Sequence, residues 1–498
     1  MKVEKVKKQK EYIILFATNL LAVFTTFFLF IFFKHYGLDD YIIIDNLSDL
    51  HYNALNNGRL ALLVLYDIFI EFGFNPVSSQ CIMAIVLATT FAFCITSLTE
   101  RIIELGNIDK TLDKILINLG SLVLLLNVFV AEWFTFVLSY AQWILGIVGA
   151  IYAAILMSYQ SRLRKFFAVI LLCISINAYQ IMIVYFAVII MLFIYLQNEN
   201  NFKLSKAIKE TVAAAAISIV LMGINIWITN HVVSIYTGGT RYDRLAFSID
   251  NIVQIIKAQR NIWIEGKGIL PHGIMALTLC GSVMILGSAV RKSRITWHKV
   301  IYCFLVYCAA VFVTFIPQML EMWLTPRSLA PLFCVFSIGA YFTVFWNREE
   351  GGYRHKVIAI ALMGTFIFAN FYYIQKVAIS MFQTNMLEKE HAKQIEYEIR
   401  NYEQTTGIEI EYISFYRDNT PQYKYEDILL KPGEDMLYNA YLVEWGDIYA
   451  LNFYTNLALE KKSPAVNYSK YFSNYNWDCL DLQEQLKFEG NTCHYCVY

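Results

Sequence analysis

The first long apolar stretch of the chain, from Tyr12 to Phe33, is YIILFATNLLAVFTTFFLFIFF, and it follows the basic segment KVEKVKKQKE at residues 2–11. A helix of about 20 apolar residues crosses the hydrocarbon core of a bilayer. Short basic segments beside such helices stay in the cytoplasm. The stretch is long for a signal peptide and no small-x-small cleavage site follows it, so it predicts a membrane anchor with a cytoplasmic N-terminus.

The composition of the whole chain agrees with a protein whose main solvent is lipid. Of its 498 residues 57% are hydrophobic and 16% are charged, where soluble domains have about 45–50% and about 25%. The formal net charge is zero, so no global field favours nucleic acid as a partner. The sequence contains no P-loop, dinucleotide fingerprint or HExxH motif, which disfavours nucleotide-driven transport and nucleotide-dependent redox chemistry.

Ten further apolar runs predict a mainly α, polytopic transmembrane bundle of about eleven helices. The fifth and sixth runs are separated only by Asn177 to Gln180, where we expect a tight hairpin, and a count of ten or twelve helices stays open. The runs lie near 78–98, 115–131, 134–158, 166–178, 180–196, 210–231, 271–290, 300–320, 327–346 and 356–375.

Lys and Arg residues cluster in every second connection, which predicts that those connections are cytoplasmic. The parts of the chain then outside the cytoplasm are the segment 34–77, the turns near Glu132 and Asn177, the loop 232–270, the turn 321–327 and everything after about residue 377. The loops among them are poor in Lys and Arg, apart from the loop 232–270. We therefore expect a multi-pass protein of the plasma membrane. It comprises a membrane module at 1–376 and an extracytoplasmic α+β domain at 377–498, with a helix near 386–402 and alternating strand patterns after it.

Three cysteines lie in this C-terminal domain: Cys479, Cys493 and Cys496. Disulfides form in extracytoplasmic compartments, so we expect one bridge among them. The spacing of Cys493 and Cys496 also suits a metal-binding or redox pair, although no second pair accompanies it.

The candidate chemistry lies in the segments predicted to be outside, since ionisable residues are nearly absent from the middle of the spans. Asp39 and Asp40 are adjacent just beyond the first helix, and a carboxylate at a partly apolar boundary can act as a base. Gly58 and Arg59 then precede a stretch at 60–72 that suits a helix lying in the membrane interface. The plainer interpretation of the two aspartates is that they are solvated.

Five other residues could line the same space: Glu132, Gln142, Tyr179, Gln180 and Arg327. Arg327 begins a late span after Thr325 and Pro326. Its guanidinium suits a phosphate group, but it could also extend to the membrane surface without binding anything.

These residues, in this order along the chain, resemble the pattern of the bacterial GtrII-type glucosyltransferases. The residues that match the family pattern are Asp39-Asp40, Gly58-Arg59, Tyr179-Gln180 and Arg327. The resemblance covers residues 10–375 loosely and offers no motif for the C-terminal domain. It implies the GT-C fold, a polyprenyl-phosphate-sugar donor and transfer to an envelope glycan at the outer face of the plasma membrane.

With that resemblance, Asp39 or Asp40 is expected to deprotonate the acceptor hydroxyl, with Asp40 the first choice. Arg327 and Arg59 are expected to bind the donor phosphate, and Tyr179, Gln180, Glu132 and Gln142 to line the substrate site. The reaction would invert the anomeric carbon. No cofactor is certain, although the two aspartates could hold Mg²⁺ or Mn²⁺.

Three alternatives stay open at this point. A transporter or lipid flippase would usually show internal repeats and interrupted helices with polar groups at mid-membrane, which the sequence does not show. A polymerase of envelope polysaccharide would use a lipid-linked oligosaccharide instead of a single sugar. A scaffold protein would explain the C-terminal domain but not the charged residues of the first loop.

Overall fold

The computed structural model describes residues 2–239, 247–292, 295–320, 322–348, 352–417, 440–463, 469–472 and 482–497. The described chain is mainly helical and ends in a small sheet. Its helices are α1 (Lys2–Thr26), α2 (Phe28–Phe32), α3 (Asp40–Asp45), α4 (Asp49–Asn56), α5 (Leu63–Glu71), α6 (Gln80–Gly106), α7 (Thr111–Leu125), α8 (Val128–Thr135), α9 (Tyr140–Met157), α10 (Arg162–Ala178), α11 (Ile183–Asn198), α12 (Leu204–Ile228), α13 (Ser234–Thr237), α14 (Ile249–Trp263), α15 (Ile274–Lys292), α16 (Trp297–Leu320), α17 (Pro326–Leu329), α18 (Cys334–Trp346), α19 (Tyr353–Thr406), α20 (Asp447–Tyr454), α21 (Ser469–Phe472) and α22 (Leu482–Gln485). The strands are β1 (Tyr412–Tyr416), β2 (Glu460–Lys461), β3 (Leu486–Glu489) and β4 (Thr492–Cys496).

Among the described residues, eight helical segments are long and apolar enough to cross a membrane, and a ninth forms if α7 and α8 count as one span bent by 44°. This makes the chain a membrane protein. Two predicted spans fall short by this measure, because Phe27 separates α1 from α2 and because α10 has only 17 residues. The number of crossings near eleven therefore stays a prediction.

The centre of the bundle is the segment from Pro326 to Trp346, which is buried throughout. Small residues let neighbouring helices approach it closely, as is usual between membrane helices. A Cβ atom on Gly120 of α7 would lie only 2.8 Å from Tyr341 of α18. By contrast, the segment 204–237 at the periphery leaves most of its apolar side chains exposed, as expected for a surface that faces lipid.

The two ends of the bundle collect the segments that the charge pattern assigns to opposite sides. At one end the basic connections meet one another: the guanidinium groups of Arg101 and Arg164 lie 3.8 and 4.0 Å from the ring centre of Tyr159, and Arg348 pairs with Glu199 at 2.8 Å. At the other end, called the loop end here, the segment 34–77 meets the start of α17. Loops that the charge pattern assigns to opposite sides thus lie at opposite ends of the bundle.

The helix α19 joins the membrane bundle to the C-terminal sheet without a break. Its 54 residues span about 80 Å at 1.5 Å per residue, well beyond the hydrocarbon thickness of about 30 Å. The proposed boundary at 377 therefore lies inside a continuous helix, which also includes the helix expected near 386–402. The sheet that follows has the order β2-β1-β4-β3, with β1 parallel to β2 and β4 and with β3 antiparallel to β4.

The first loop of the membrane module is part of the hydrophobic core of the C-terminal domain. Leu38 and Tyr41 pack in one buried cluster with residues of α19, the sheet and α20. Inside this contact Glu388 of α19 is buried, and its carboxylate accepts hydrogen bonds from the Tyr41 hydroxyl at 2.6 Å and from the Asn385 amide at 3.0 Å. It also accepts one from the backbone N–H of Ala440 at 2.6 Å. We call this group the Glu388 clamp.

We predict that Tyr41→Phe weakens the attachment of the first loop to the C-terminal domain. The substitution keeps the packed ring but removes the hydroxyl that bonds Glu388 and Tyr454. Removing one partner of a buried, charged hydrogen bond costs about 1–3 kcal/mol. The melting temperature of the purified protein in detergent should fall, while Tyr52→Phe, an exposed position in the same segment, should leave it unchanged. Equal melting temperatures for both variants would show that the Glu388 clamp does not contribute to the stability of the folded protein.

Candidate active site

Asp40 fastens the first loop to the membrane bundle. The side chain is fully buried at the start of α3. One carboxylate oxygen accepts the backbone N–H groups of Gly37 at 2.7 Å and Val137 at 3.2 Å, and the other accepts that of Leu138 at 2.8 Å. Because Val137 and Leu138 come just before α9, this contact holds the loop against the bundle.

Burial raises the pKa of Asp40 from its ordinary value of 3.8 to about 7, although the three N–H groups act in the opposite direction. A carboxyl group with such a pKa suits proton transfer near neutral pH. Yet both oxygens of Asp40 face backbone donors, and the residue borders neither of the two cavities described below. Its neighbour Asp39 is half-buried and borders one of them.

Glu132 and Arg327 form an ion pair in which the carboxylate is fully buried and the guanidinium is partly exposed. The sequence predicts a short turn at Glu132, but the structure places the residue on α8, where its side chain is fully buried. Arg327 Nη1 lies 2.6 Å from Glu132 Oε1, and the backbone N–H of Arg327 donates to Oε2 at 2.5 Å. Since Pro326 begins α17, that N–H is one of the donors that a helix start leaves without an internal partner. The carboxylate therefore fixes both the backbone and the guanidinium of Arg327.

Aromatic rings connect this ion pair to the turn between α10 and α11. Trp133 donates its indole N–H to the carbonyl of Arg327 at 3.3 Å and stacks on Trp143 with ring centres 4.8 Å apart. Trp143 in turn meets the edge of Tyr179 at 4.8 Å. The Arg59 guanidinium lies 5.9 Å from the centre of the Tyr179 ring. Both arginines are thus held on one aromatic wall.

The break expected between the fifth and sixth apolar runs is present at Tyr179. α10 ends at Ala178, Tyr179 is extended, and a short turn at Gln180–Met182 precedes α11. The Gln180 amide lies 3.4 Å from the carbonyl of Asn57, which comes two residues before Arg59 in the chain. The stretch 60–72 contains the helix α5, in which Val64 is strongly exposed, as is Phe72 directly after it. Its position in the membrane interface stays a prediction.

Two cavities open at the loop end and share the two arginines. The first, the polar cavity, has a volume of about 190 Å³ and is bordered by Leu38, Asp39, Asn53, Asn57, Arg59, Phe136, Leu138, Ser139, Gln142, Trp143, Trp323, Arg327 and Trp445. The second, the apolar cavity, has a volume of about 200 Å³ and is bordered by Asn57, Arg59, Tyr179, Gln180, Ile181, Met222, Ile226, Ile316, Pro317, Gln318, Leu320, Trp323, Arg327 and Ser328.

The expected site residues thus fall into three groups. Asp39, Arg59, Gln142 and Arg327 border the polar cavity, while Tyr179 and Gln180 join both arginines around the apolar cavity. Glu132 and Asp40 border neither cavity and instead fix neighbouring groups. The sequence analysis did not single out Trp143, Trp323 or Gln318. It also gave no indication of Trp445, because no motif pointed to the C-terminal domain, to which this residue belongs.

The described residues contain no group of three or more His, Cys, Asp or Glu side chains placed to hold a metal ion. Asp39 and Asp40 do not form a ligand pair, because the Asp40 carboxylate is surrounded by N–H donors, whereas a cation requires open oxygen ligands.

The cysteine predictions fall partly outside the described residues, since Cys479 lies there. Cys493 and Cys496 are buried in β4, three positions apart. Side chains alternate between the two faces of a strand, and the two thiols accordingly join different hydrophobic clusters. They therefore do not form the metal or redox pair that their spacing suggested, and a bridge to Cys479 stays a prediction.

A comparison with known protein families matches residues 26–347, more than half of the chain, to the family described as Glucosyl transferase GtrII. The chain belongs to this family. The match confirms the resemblance seen in the sequence, includes every expected site residue and leaves the C-terminal domain outside it. No curated protein and no solved structure matches the chain. Membership of the GtrII family makes the chain a membrane glycosyltransferase.

We predict that replacing Asp40 lowers the stability of the protein much more than replacing Asp39. Asp40→Ala leaves three buried N–H groups without their acceptor, at a cost of about 1–3 kcal/mol each, so the melting temperature should fall by several degrees. Asp39→Ala removes a half-buried side chain from a cavity wall and should change it little. Equal losses in the two variants would contradict the separate roles given to these residues.

The contribution of Asp40 should also depend on pH. Its pKa is raised in the folded protein, to about 7 from 3.8, so between these values the folded chain keeps a proton that the unfolded chain releases. Stability from this group is then complete below about pH 4 and is lost as the pH rises through about 7. The difference in melting temperature between the wild type and Asp40→Ala should therefore shrink from pH 4.5 to pH 7.5. A difference that grows would contradict the raised pKa.

Proposed function

We propose that the chain transfers a hexosyl group, glucose according to its family, from a polyprenyl-phosphate donor to a glycan of the cell envelope. The observation that carries this proposal is the sharing of Arg59 and Arg327 by an apolar and a polar cavity. A polyprenyl-phosphate sugar has the same order of parts: an apolar chain, an anionic phosphate and a polar sugar. The fit supports a lipid-borne donor over a water-soluble one.

In this arrangement the phosphate lies between the two arginines. Guanidinium groups match the oxygen pairs of a phosphate, and both here are held in place before the donor arrives. The first isoprene units of the donor then occupy the apolar cavity beside Met222, Ile226 and Ile316, and its sugar occupies the polar cavity beside Asp39.

The transfer step follows from this placement. The acceptor hydroxyl oxygen forms a bond to the anomeric carbon as the bond from that carbon to the phosphate oxygen breaks, and the electron pair leaves with the polyprenyl phosphate. Asp39 takes the proton of the hydroxyl, while Arg327 and Arg59 stabilise the charge that develops on the leaving phosphate. Attack from the face opposite the phosphate inverts the anomeric carbon.

We place this reaction at the outer face of the plasma membrane. The basic connections group at the end of the bundle opposite the cavities, and such connections stay in the cytoplasm. A donor carried by lipid suits a compartment without nucleotide sugars. The acceptor would enter past Trp445, the residue that the C-terminal domain contributes to the polar cavity. A membrane bundle with the GT-C fold accommodates a site of this kind at its outer end.

We predict that Asp39→Asn abolishes transfer while the protein still folds and binds its donor. The variant keeps the shape of the side chain but cannot accept the proton, and loss of a general base lowers rates by about 100-fold or more. The measurement is release of polyprenyl phosphate from polyprenyl-phosphate-glucose by purified protein in nanodiscs, with envelope glycan from the cells that make the protein.

The matched control is Asp45→Asn, which changes an exposed carboxylate of the same loop and should keep full activity. Undiminished release by Asp39→Asn would assign the base to another residue. A wild type that moves the donor between leaflets without releasing polyprenyl phosphate would identify a flippase and overturn the proposed function.

A further inference from the structure

Two neighbouring residues of α9 bring buried polar atoms without partners to the wall of the polar cavity. Gln142 and Trp143 are each 1% exposed. Within the described part of the chain, neither the amide nitrogen nor the amide oxygen of Gln142 has a hydrogen-bond partner, and the indole nitrogen of Trp143 has none either. Both residues border the cavity that also contains Asp39 and Arg327.

Such atoms are costly in a folded protein. Most buried polar atoms are hydrogen-bonded, and one that is not costs about 1–3 kcal/mol. Three of them on adjacent residues of one cavity wall indicate a site that is completed by a polar ligand.

The Trp143 side chain is held rigidly enough to select a ligand. Trp143 is nearly parallel to Trp133, with an angle of 6° between the rings, and it meets Tyr179 edge-on, so the direction of its N–H is fixed. Gln142 lies in the first turn of the same helix. Its amide presents one acceptor and one donor group, which together match a hydroxyl or two adjacent hydroxyls.

We propose that Gln142 and Trp143 recognise the hydroxyl groups of the donor sugar and so determine which sugar is transferred. This inference rests on the proposed function and names the residues that select its substrate. The neutral amide and N–H favour an uncharged hexose with free hydroxyls. The carboxylate of Asp39 in the same cavity disfavours an acidic sugar.

The test measures equilibrium binding of two probes to the protein in nanodiscs: polyprenyl-phosphate-glucose and bare polyprenyl phosphate. The wild type should bind the glucosylated lipid at least tenfold more tightly. Gln142→Leu, which is similar in size but has no polar atoms, should lose most of that preference and keep the affinity for the bare lipid. Trp143→Phe keeps an aromatic ring without the N–H and should lose part of it.

A second measurement separates recognition from a structural role. Because the amide of Gln142 has no partner to lose, Gln142→Leu without ligand should melt at the same temperature as the wild type or higher. The matched control is Gln197→Leu, since the Gln197 amide does donate to the carbonyl of Ser158 and borders neither cavity. It should melt lower and keep the full preference for the sugar.

The outcomes distinguish this inference from the proposed function. A wild type that binds neither lipid contradicts the donor itself. A wild type that prefers the glucosylated lipid, together with a Gln142→Leu variant of unchanged preference or of much lower melting temperature, overturns the sugar-recognition role and leaves the proposed donor intact.

Discussion

The position of the first loop is set by one buried carboxylate, that of Asp40, and the rest of the site depends on it. A carboxylate in an apolar interior is expensive unless donors surround it, and here Gly37, Val137 and Leu138 each supply a backbone N–H. Because these donors belong to the loop and to the segment before α9, satisfying the carboxylate joins two parts of the chain. Asp39 is placed at the cavity as a consequence, since it precedes Asp40 in the same turn.

The same principle separates the buried acids, which hold neighbouring groups, from the charged residues that border the cavities. Glu132 is fully buried and directs Arg327 through two hydrogen bonds, while Glu388 is buried and holds Tyr41. Glu132 thus holds a residue that borders both cavities, and Glu388 holds a residue of the first loop. Fixing charged groups before the substrate arrives lowers the reorganisation that the reaction must otherwise supply.

The sequence was sufficient for the membrane character, because hydropathy separates segments that face lipid from segments that face water. It also named six residues that the structure brings to the two cavities: Asp39, Arg59, Gln142, Tyr179, Gln180 and Arg327. It could not separate Asp39 from Asp40, since their difference arises from donors nearly 100 positions away. Glu132 was expected in a turn for a related reason: an acid in an apolar run suggests a chain reversal unless its partner, Arg327, is known. The strand patterns expected after the helix near 386–402 did not give the bounds of a strand, and the first strand, β1, begins at Tyr412.

The Glu388 clamp has a consequence for how the protein is made. Tyr41 and Glu388 are 347 positions apart, which corresponds to about 20 to 70 s of synthesis at the usual rate of about 5–20 residues per second. The first loop reaches its membrane side early, but its contact with Glu388 cannot form until the other helices have been inserted. The first loop is therefore joined to the C-terminal domain only after α19 has been made, so the membrane bundle is assembled before this contact is complete.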